Sequence, residues 1–240
     1  MSDIVTHLDT AVACAAAAAV LGGLAPSLVA RLPEPEPDPD RPAPATPKEP
    51  YAAIAARPGF RVRTAIWSAV FAALFGAVLG WDWALLYLVP LTPLAVVLSV
   101  VDWRTKLLPT RLIVPAYLFL LPVLVVLGLV TGDWSALWLA LGAGVAVRGF
   151  YWVFWRFTRS GMGFGDVRLA GLIGLALGFL GWGELLVGVY AGFLLGALIG
   201  GVLAVAKVID RKSYPFGPFM LVGAALGVLL GPVLGSVSPY

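Results

Sequence analysis

Residues 112–131 read LIVPAYLFLLPVLVVLGLVT, an almost wholly apolar stretch without a single charge. A helix needs roughly 20 apolar residues to cross a bilayer, whereas a helix on the surface of a soluble protein keeps one polar face. This stretch has no polar face, so it predicts a membrane span. Its neighbours repeat the pattern: residues 84–101 before it carry no charge, and 134–154 after it carry only Arg148. The runs are continuous rather than alternating, which argues for helices and against the short strands of a membrane barrel.

The same criterion applied along the chain gives eight segments: Leu8–Ala30, Thr64–Gly80, Ala84–Val101, Leu112–Thr131, Trp134–Phe154, Val167–Gly181, Leu185–Ala206 and Phe216–Leu234. The sixth is the shortest. The expected fold is therefore all-α, a polytopic membrane protein of about eight transmembrane helices. Residues 1–31 would carry the first helix, 32–63 a Pro-rich cytoplasmic linker, and 64–240 a seven-helix core. Composition agrees: of 240 residues 60% are hydrophobic and 12% charged, with mean hydropathy +0.95. A soluble domain is nearer 45–50% apolar and about 25% charged. One cysteine, Cys14, excludes a disulfide framework and a cysteine-built zinc site. One histidine, His7, argues against His-rich metal clusters and Ser-His-Asp catalysis. No metal, cofactor or nucleic-acid partner is expected.

Charge placement orients the segments. Arg31, Arg41, Lys48, Arg57, Arg61 and Arg63 lie between the first and second. Arg104, Lys106 and Arg111 lie between the third and fourth. Arg148 sits in the inner half of the fifth, followed by Arg156 and Arg159, and Arg168 opens the sixth. Lys207, Arg211 and Lys212 lie between the last two. The alternate gaps carry only the acids Asp82, Asp133 and Glu184. Basic loops stay cytoplasmic, so both termini are expected outside. The first segment lacks a basic n-region and is expected to be a retained helix rather than a cleaved signal. Trp81, Trp83, Trp134 and Trp182 at outer ends, and Trp103 and Trp155 at inner ends, are expected interfacial anchors.

Residues 33–50, PEPEPDPDRPAPATPKEP, hold eight prolines. Such a stretch favours extended polyproline II and cannot pack a core. Gly171, Gly174 and Gly178, and then Gly188, Gly192, Gly196 and Gly200, recur at helical spacing. Small residues so placed let helices approach closely in lipid.

The polar residues at membrane ends need a separate account, because a carboxylate at membrane depth is costly and a functional candidate by default. Asp102 closes the third segment in SVVDWRTKLLPTRL, and Asp166 opens the sixth in GMGFGDVRLAGL. An even number of crossings separates them, so both lie on one face. Asp166 could be an ordinary helix cap and Asp102 an interfacial residue. Asp210 lies among basic residues and reads as a solvated ion pair. The glycines before Asp166 permit irregular backbone and close approach of a substrate, or simply mark a loop.

Taken together, these residues resemble the type IV prepilin peptidase family, membrane aspartic proteases that process pilins and pseudopilins. Three ordered patches carry the likeness: Asp102 followed by Leu108-Pro109, the run Gly161-Met162-Gly163-Phe164-Gly165-Asp166-Val167-Arg168-Leu169, and Pro215-Phe216-Gly217-Pro218-Phe219. The likeness spans about Leu94–Leu234. Phe164, Arg168 and Thr110 depart from common family residues. The loop after the first helix begins Arg31-Leu32-Pro33 as in the family, but it lacks the two cysteine pairs found in many members.

The resemblance implies an endopeptidase with Asp102 and Asp166 catalytic, and with Gly163, Gly165, Pro109, Pro215 and Gly217 shaping the site. It implies a prepilin or pseudopilin substrate with a short basic leader, a Gly before the cut and an apolar helix after it. Cleavage would fall at the cytoplasmic face of a bacterial inner membrane, with no cofactor. The missing cysteines imply that the new terminus is not N-methylated. The alternative is an ion- or proton-coupled transporter using the same two aspartates, since carboxylates beside Gly-broken helices occur in transporters. A third is an assembly scaffold whose acids are caps.

Overall fold

A computed structural model describes residues 7–34, 48–158, 162–205 and 215–235. Among these residues the chain forms nine helices and no strand: α1 (Leu8–Ala30), α2 (Tyr51–Ala55), α3 (Phe60–Leu79), α4 (Leu85–Thr105), α5 (Thr110–Thr131), α6 (Trp134–Thr158), α7 (Phe164–Leu180), α8 (Trp182–Val205) and α9 (Gly217–Gly235). Eight correspond to the expected segments. Six of them, α1, α3, α4, α5, α6 and α8, are long and apolar enough to cross a membrane. The helices α7 and α9 are shorter on that measure. The long helices expose large apolar side chains, such as Val12 on α1, Leu118 on α5, Val145 on α6 and Leu198 on α8. The chain is an all-helical, multi-pass membrane protein.

The ends of these helices follow from local chemistry. Gly59 (φ +71°) precedes α3, and Gly80 (φ +64°) and Gly132 (φ +72°) end α3 and α5 in a backbone region that favours glycine. Four of the helices differ from the sequence expectation by three residues or more at the ends expected to be cytoplasmic. α3 starts four residues earlier than Thr64, and α6 runs four residues past Phe154. α4 continues past Val101 through Asp102 to Thr105, whose hydroxyl donates to the Val101 carbonyl, and ends where Lys106 turns left-handed at φ 56°. α7 starts three residues before Val167. Apolarity marks where lipid begins, and a helix continues past that point until a cap or a turn stops it.

The segment 32–63 is not wholly extended: α2 buries Tyr51 and Ile54 on α1. The Glu34 carboxylate accepts the Tyr51 N–H at 2.6 Å. Most of the Pro-rich stretch, residues 35–47, lies outside the described residues, as do Gly161, Arg159, Lys207, Asp210, Arg211 and Lys212.

The packing glycines act as close-approach points. A methyl group on Gly174 would lie 2.6 Å from the Ala143 carbonyl oxygen, and α6 and α7 meet there. A methyl on Gly223 would collide with the Gly192 backbone, where α8 meets α9. Of the tryptophans, Trp81, Trp83, Trp103, Trp134 and Trp182 are exposed as anchors would be. Trp155 differs: its ring packs on Phe164 at 5.1 Å and belongs to the contact between α6 and α7.

The helix order makes a direct test of orientation possible. Topology reporters fused after Tyr51 and Arg159 are expected to report the cytoplasm, and fusions at Asp82 and Asp133 the opposite side. A fusion at Arg159 reporting the same side as Asp133 would overturn the assignment of α6.

Candidate functional site

The end of α4 and the starts of α5, α7 and α9 converge on the two aspartates. Asp102 lies in the last turn of α4 and is 4% exposed. Its Oδ2 accepts the backbone N–H of Gly217 at 2.9 Å. That N–H opens α9 and has no partner within its own helix, so the carboxylate supplies one. Gly217 must stay small here, because an added Cβ would lie 2.8 Å from Asp102 Oδ2.

Asp166 is the third residue of α7 and is 5% exposed. Its Oδ2 accepts the Gly163 N–H at 2.9 Å, closing the extended Gly163 onto the first helical turn. Gly163, lacking a side chain, contributes only its backbone to this cap. The capping reading of Asp166 thus accounts for one oxygen. The other, Oδ1, is buried and has no hydrogen-bond partner among the described residues. Buried polar atoms are nearly always paired, so an unpaired carboxylate oxygen here points to a group that arrives from outside.

Leu108 ties the pair together. A Cβ on Gly165 would lie 2.7 Å from Leu108 Cβ, and one on Gly217 would lie 3.3 Å from Leu108 Cδ1. Leu108 therefore wedges between the starts of α7 and α9, and the charge of Asp102 is felt at Asp166. The helices α4 and α7 do not pack along their lengths; α5 and α9 each touch both.

Pro109 caps α5 in an extended conformation, one residue beyond the wedge. Pro215 is buried just before Phe216. Thr110, which departs from the family pattern, accepts a 2.6 Å hydrogen bond from Arg168 Nη1, whose guanidinium also lies over the Phe164 ring at 4.7 Å. The first turn of α7 is thus held to the start of α5. On the opposite flank, Glu49 pairs with Arg57 at 2.8 Å and reaches Arg104 at 3.3 Å, two residues beyond Asp102. The Arg57 guanidinium holds the Glu49 carboxyl below the usual range.

Sequence reasoning missed Tyr151. It is 2% exposed on α6, its ring lies 6.1 Å from that of Phe216, and it is within electrostatic reach of Asp166. No local motif marks it; only the spacing Ala140, Ala143, Val147, Tyr151 along the α7-facing side of α6 could have done so. Among the described residues no group of three or more His, Cys, Asp or Glu side chains is arranged to hold a metal ion.

Comparison with known proteins points the same way as the motifs. Residues 89–205 match the model of the Type IV leader peptidase family. The chain is 31% identical over 173 residues to a Pseudomonas putida protein named prepilin leader peptidase/N-methyltransferase, covering 66% of this chain and 56% of that one. It is 32% identical over 188 residues to a protein of the same name from Aeromonas salmonicida (strain A449), covering 75% and 60%. It is 30% identical over 141 residues to another of that name from Bacillus subtilis (strain 168), covering 58% and 53%. The chain thus spans about half to three fifths of the length of these relatives. No solved structure matches it. The matched region holds Asp102 and Asp166 and the helices that carry them, and the chain belongs to the type IV leader peptidase family.

Proposed function

We propose that this protein is a membrane aspartic endopeptidase that removes the leader of type IV prepilins or prepilin-like proteins at the cytoplasmic membrane face. The observation that carries the reading is the buried, unpaired Oδ1 of Asp166, within electrostatic reach of the equally buried Asp102. Two carboxyls in one site hold a proton between them, because two like charges at short range cannot both ionise cheaply. The ionised member takes a proton from water, and the resulting oxygen attacks the scissile carbonyl carbon. The protonated member gives its proton to the carbonyl oxygen. Collapse of the tetrahedral carbon breaks the C–N bond, and the departing amine takes a proton from the pair. The pair acts as a unit, so neither role belongs to a fixed residue. Gly163 and Gly217 orient the carboxylates by backbone N–H groups, and Gly165 leaves room for Leu108.

The transporter alternative is less well supported. Both aspartates sit at helix ends rather than midway along a span, and α4 and α7 are each continuous helices. Transporter sites lie near the midplane between broken helices.

The test is cleavage of a reporter with a basic leader, a Gly before the cut and an apolar helix, using the purified protein in vesicles. Mass spectrometry should find the product starting after that Gly. Intact reporter would overturn the reading. With S-adenosylmethionine present, the new amine should remain unmethylated. Methyl transfer needs a pocket that buries most of its cofactor, and the loop of residues 32–63 carries no cysteine and eight prolines within residues 33–50. A methylated product would show that this chain forms such a pocket.

A further inference from the structure

Between α4 and α7 lies a slot that the chemistry above does not use. It encloses about 130 Å3 and is lined from α4 by residues including Leu91, Ala95 and Ser99, from α7 by Leu169, Ile173 and Ala176, and otherwise by α3 and α9. That is close to the volume that admits a single benzene ring (~150 Å3), enough for one or two aliphatic side chains but not for a whole helix.

Its two ends are defined. At the outer end the Tyr87 hydroxyl donates to the Ala176 carbonyl at 2.9 Å and joins α4 to α7. At the inner end, Ser99 is one turn before Asp102 and Leu169 one turn after Asp166. At about 1.5 Å per residue, the slot's lining runs roughly 12 Å along α7, from Leu177 to Leu169, and stops one turn short of each aspartate. Its rim includes Val222 of α9, which is 43% exposed where lipid would lie.

We propose that this slot receives one face of the apolar helix that follows the scissile bond, admitted sideways from the bilayer, with its N-terminal end delivered to Asp102 and Asp166. The inference rests on the endopeptidase reading. The occupant is identified by what the slot withholds. The hydroxyls of Thr92 and Ser99 are already committed to the carbonyls of Leu88 and Ala95, at 2.7 and 2.8 Å. An extended peptide would leave its N–H and C=O groups unpaired in an apolar wall, whereas a helix brings its backbone already satisfied. Only such a segment can fill the slot with side chains and also present a peptide bond at its inner end.

The experiment uses the full-length protein in vesicles and the reporter described above, whose apolar part is a Leu/Ala helix of about 20 residues, long enough to span the bilayer. Ala95→Phe and Ala224→Phe each fill the slot from a different helix, and each should raise KM by roughly tenfold or more, with the loss in KM rather than kcat. Val145→Phe, on the lipid-facing side of α6 and 75% exposed, should change neither constant. A photo-crosslinking residue in place of Ala95, in an Asp166→Asn background, should capture the reporter through its Leu/Ala helix. This capture also decides the matter if the Phe variants fail to accumulate. Unchanged KM in the Phe variants, or capture of lipid or of the basic leader instead of the helix, would overturn the inference. Cleavage surviving in both Asp102→Asn and Asp166→Asn would instead overturn the aspartic endopeptidase reading itself, so the two failures are distinguishable.

Discussion

Asp102→Asn and Asp166→Asn should each lower leader cleavage by roughly 10⁴-fold or more, the scale on which members of one catalytic unit fail together. The substitution keeps size and one acceptor oxygen. Through its amide carbonyl, the new side chain at position 102 can still accept the Gly217 N–H, and the one at position 166 the Gly163 N–H, so both variants should insert and accumulate. What each loses is the shared proton. The double variant should be no worse than either single one, because the pair acts once rather than twice. A gel shift of the reporter in membranes measures this, alongside an immunoblot for protein level. Processing near the wild-type rate by one variant would remove that residue from the mechanism. A double variant far worse than the singles would mean that the two residues act in separate steps.

Much of this architecture is legible in the sequence because lipid imposes a simple rule. A span must be long, apolar and helical, and the helix Leu8–Ala30 can be bounded to the residue on that rule alone. The differences gather at the end of α4, the starts of α3 and α7 and the end of α6, where helices leave the apolar stretches. Apolarity places Asp102 just beyond its helix, yet it is inside the last turn of α4, held there by the Thr105 hydroxyl and the turn at Lys106. The pairing of the two aspartates is legible only as a shared face. Their approach depends on Leu108 fitting beneath Gly165 and Gly217, which is a matter of side-chain shape with no periodicity to betray it. The third motif can be recognised in the sequence, but its physical reason cannot: Pro215-Phe216-Gly217 brings a free helix-starting N–H onto Asp102. Tyr151 leaves no mark because an aromatic residue on a packed helix face usually serves only to fill space.

That third motif supports a second large effect. Gly217→Ala should reduce cleavage by roughly 10²-fold while leaving the protein at least as stable as the parent. The new methyl group would lie 2.8 Å from Asp102 Oδ2 and 3.3 Å from Leu108 Cδ1, and ordinary contact begins near 3.4 Å. The carboxylate must therefore retreat, which stretches its bond to the Gly217 N–H. A displacement of about 1 Å at reacting groups can cost roughly 10²-fold in rate. Stability moves the other way, because alanine favours a helix over glycine by about 1 kcal/mol, and Gly217 has no left-handed backbone to forbid a side chain. Gly142→Ala and Gly149→Ala are the controls, since a methyl at either position meets nothing within 4 Å. Both should cleave as the parent does. Rate measurements on the reporter, paired with thermal unfolding in detergent, separate the two effects. A Gly217→Ala protein that is stable and fully active would show that cleavage does not depend on where α9 holds Asp102.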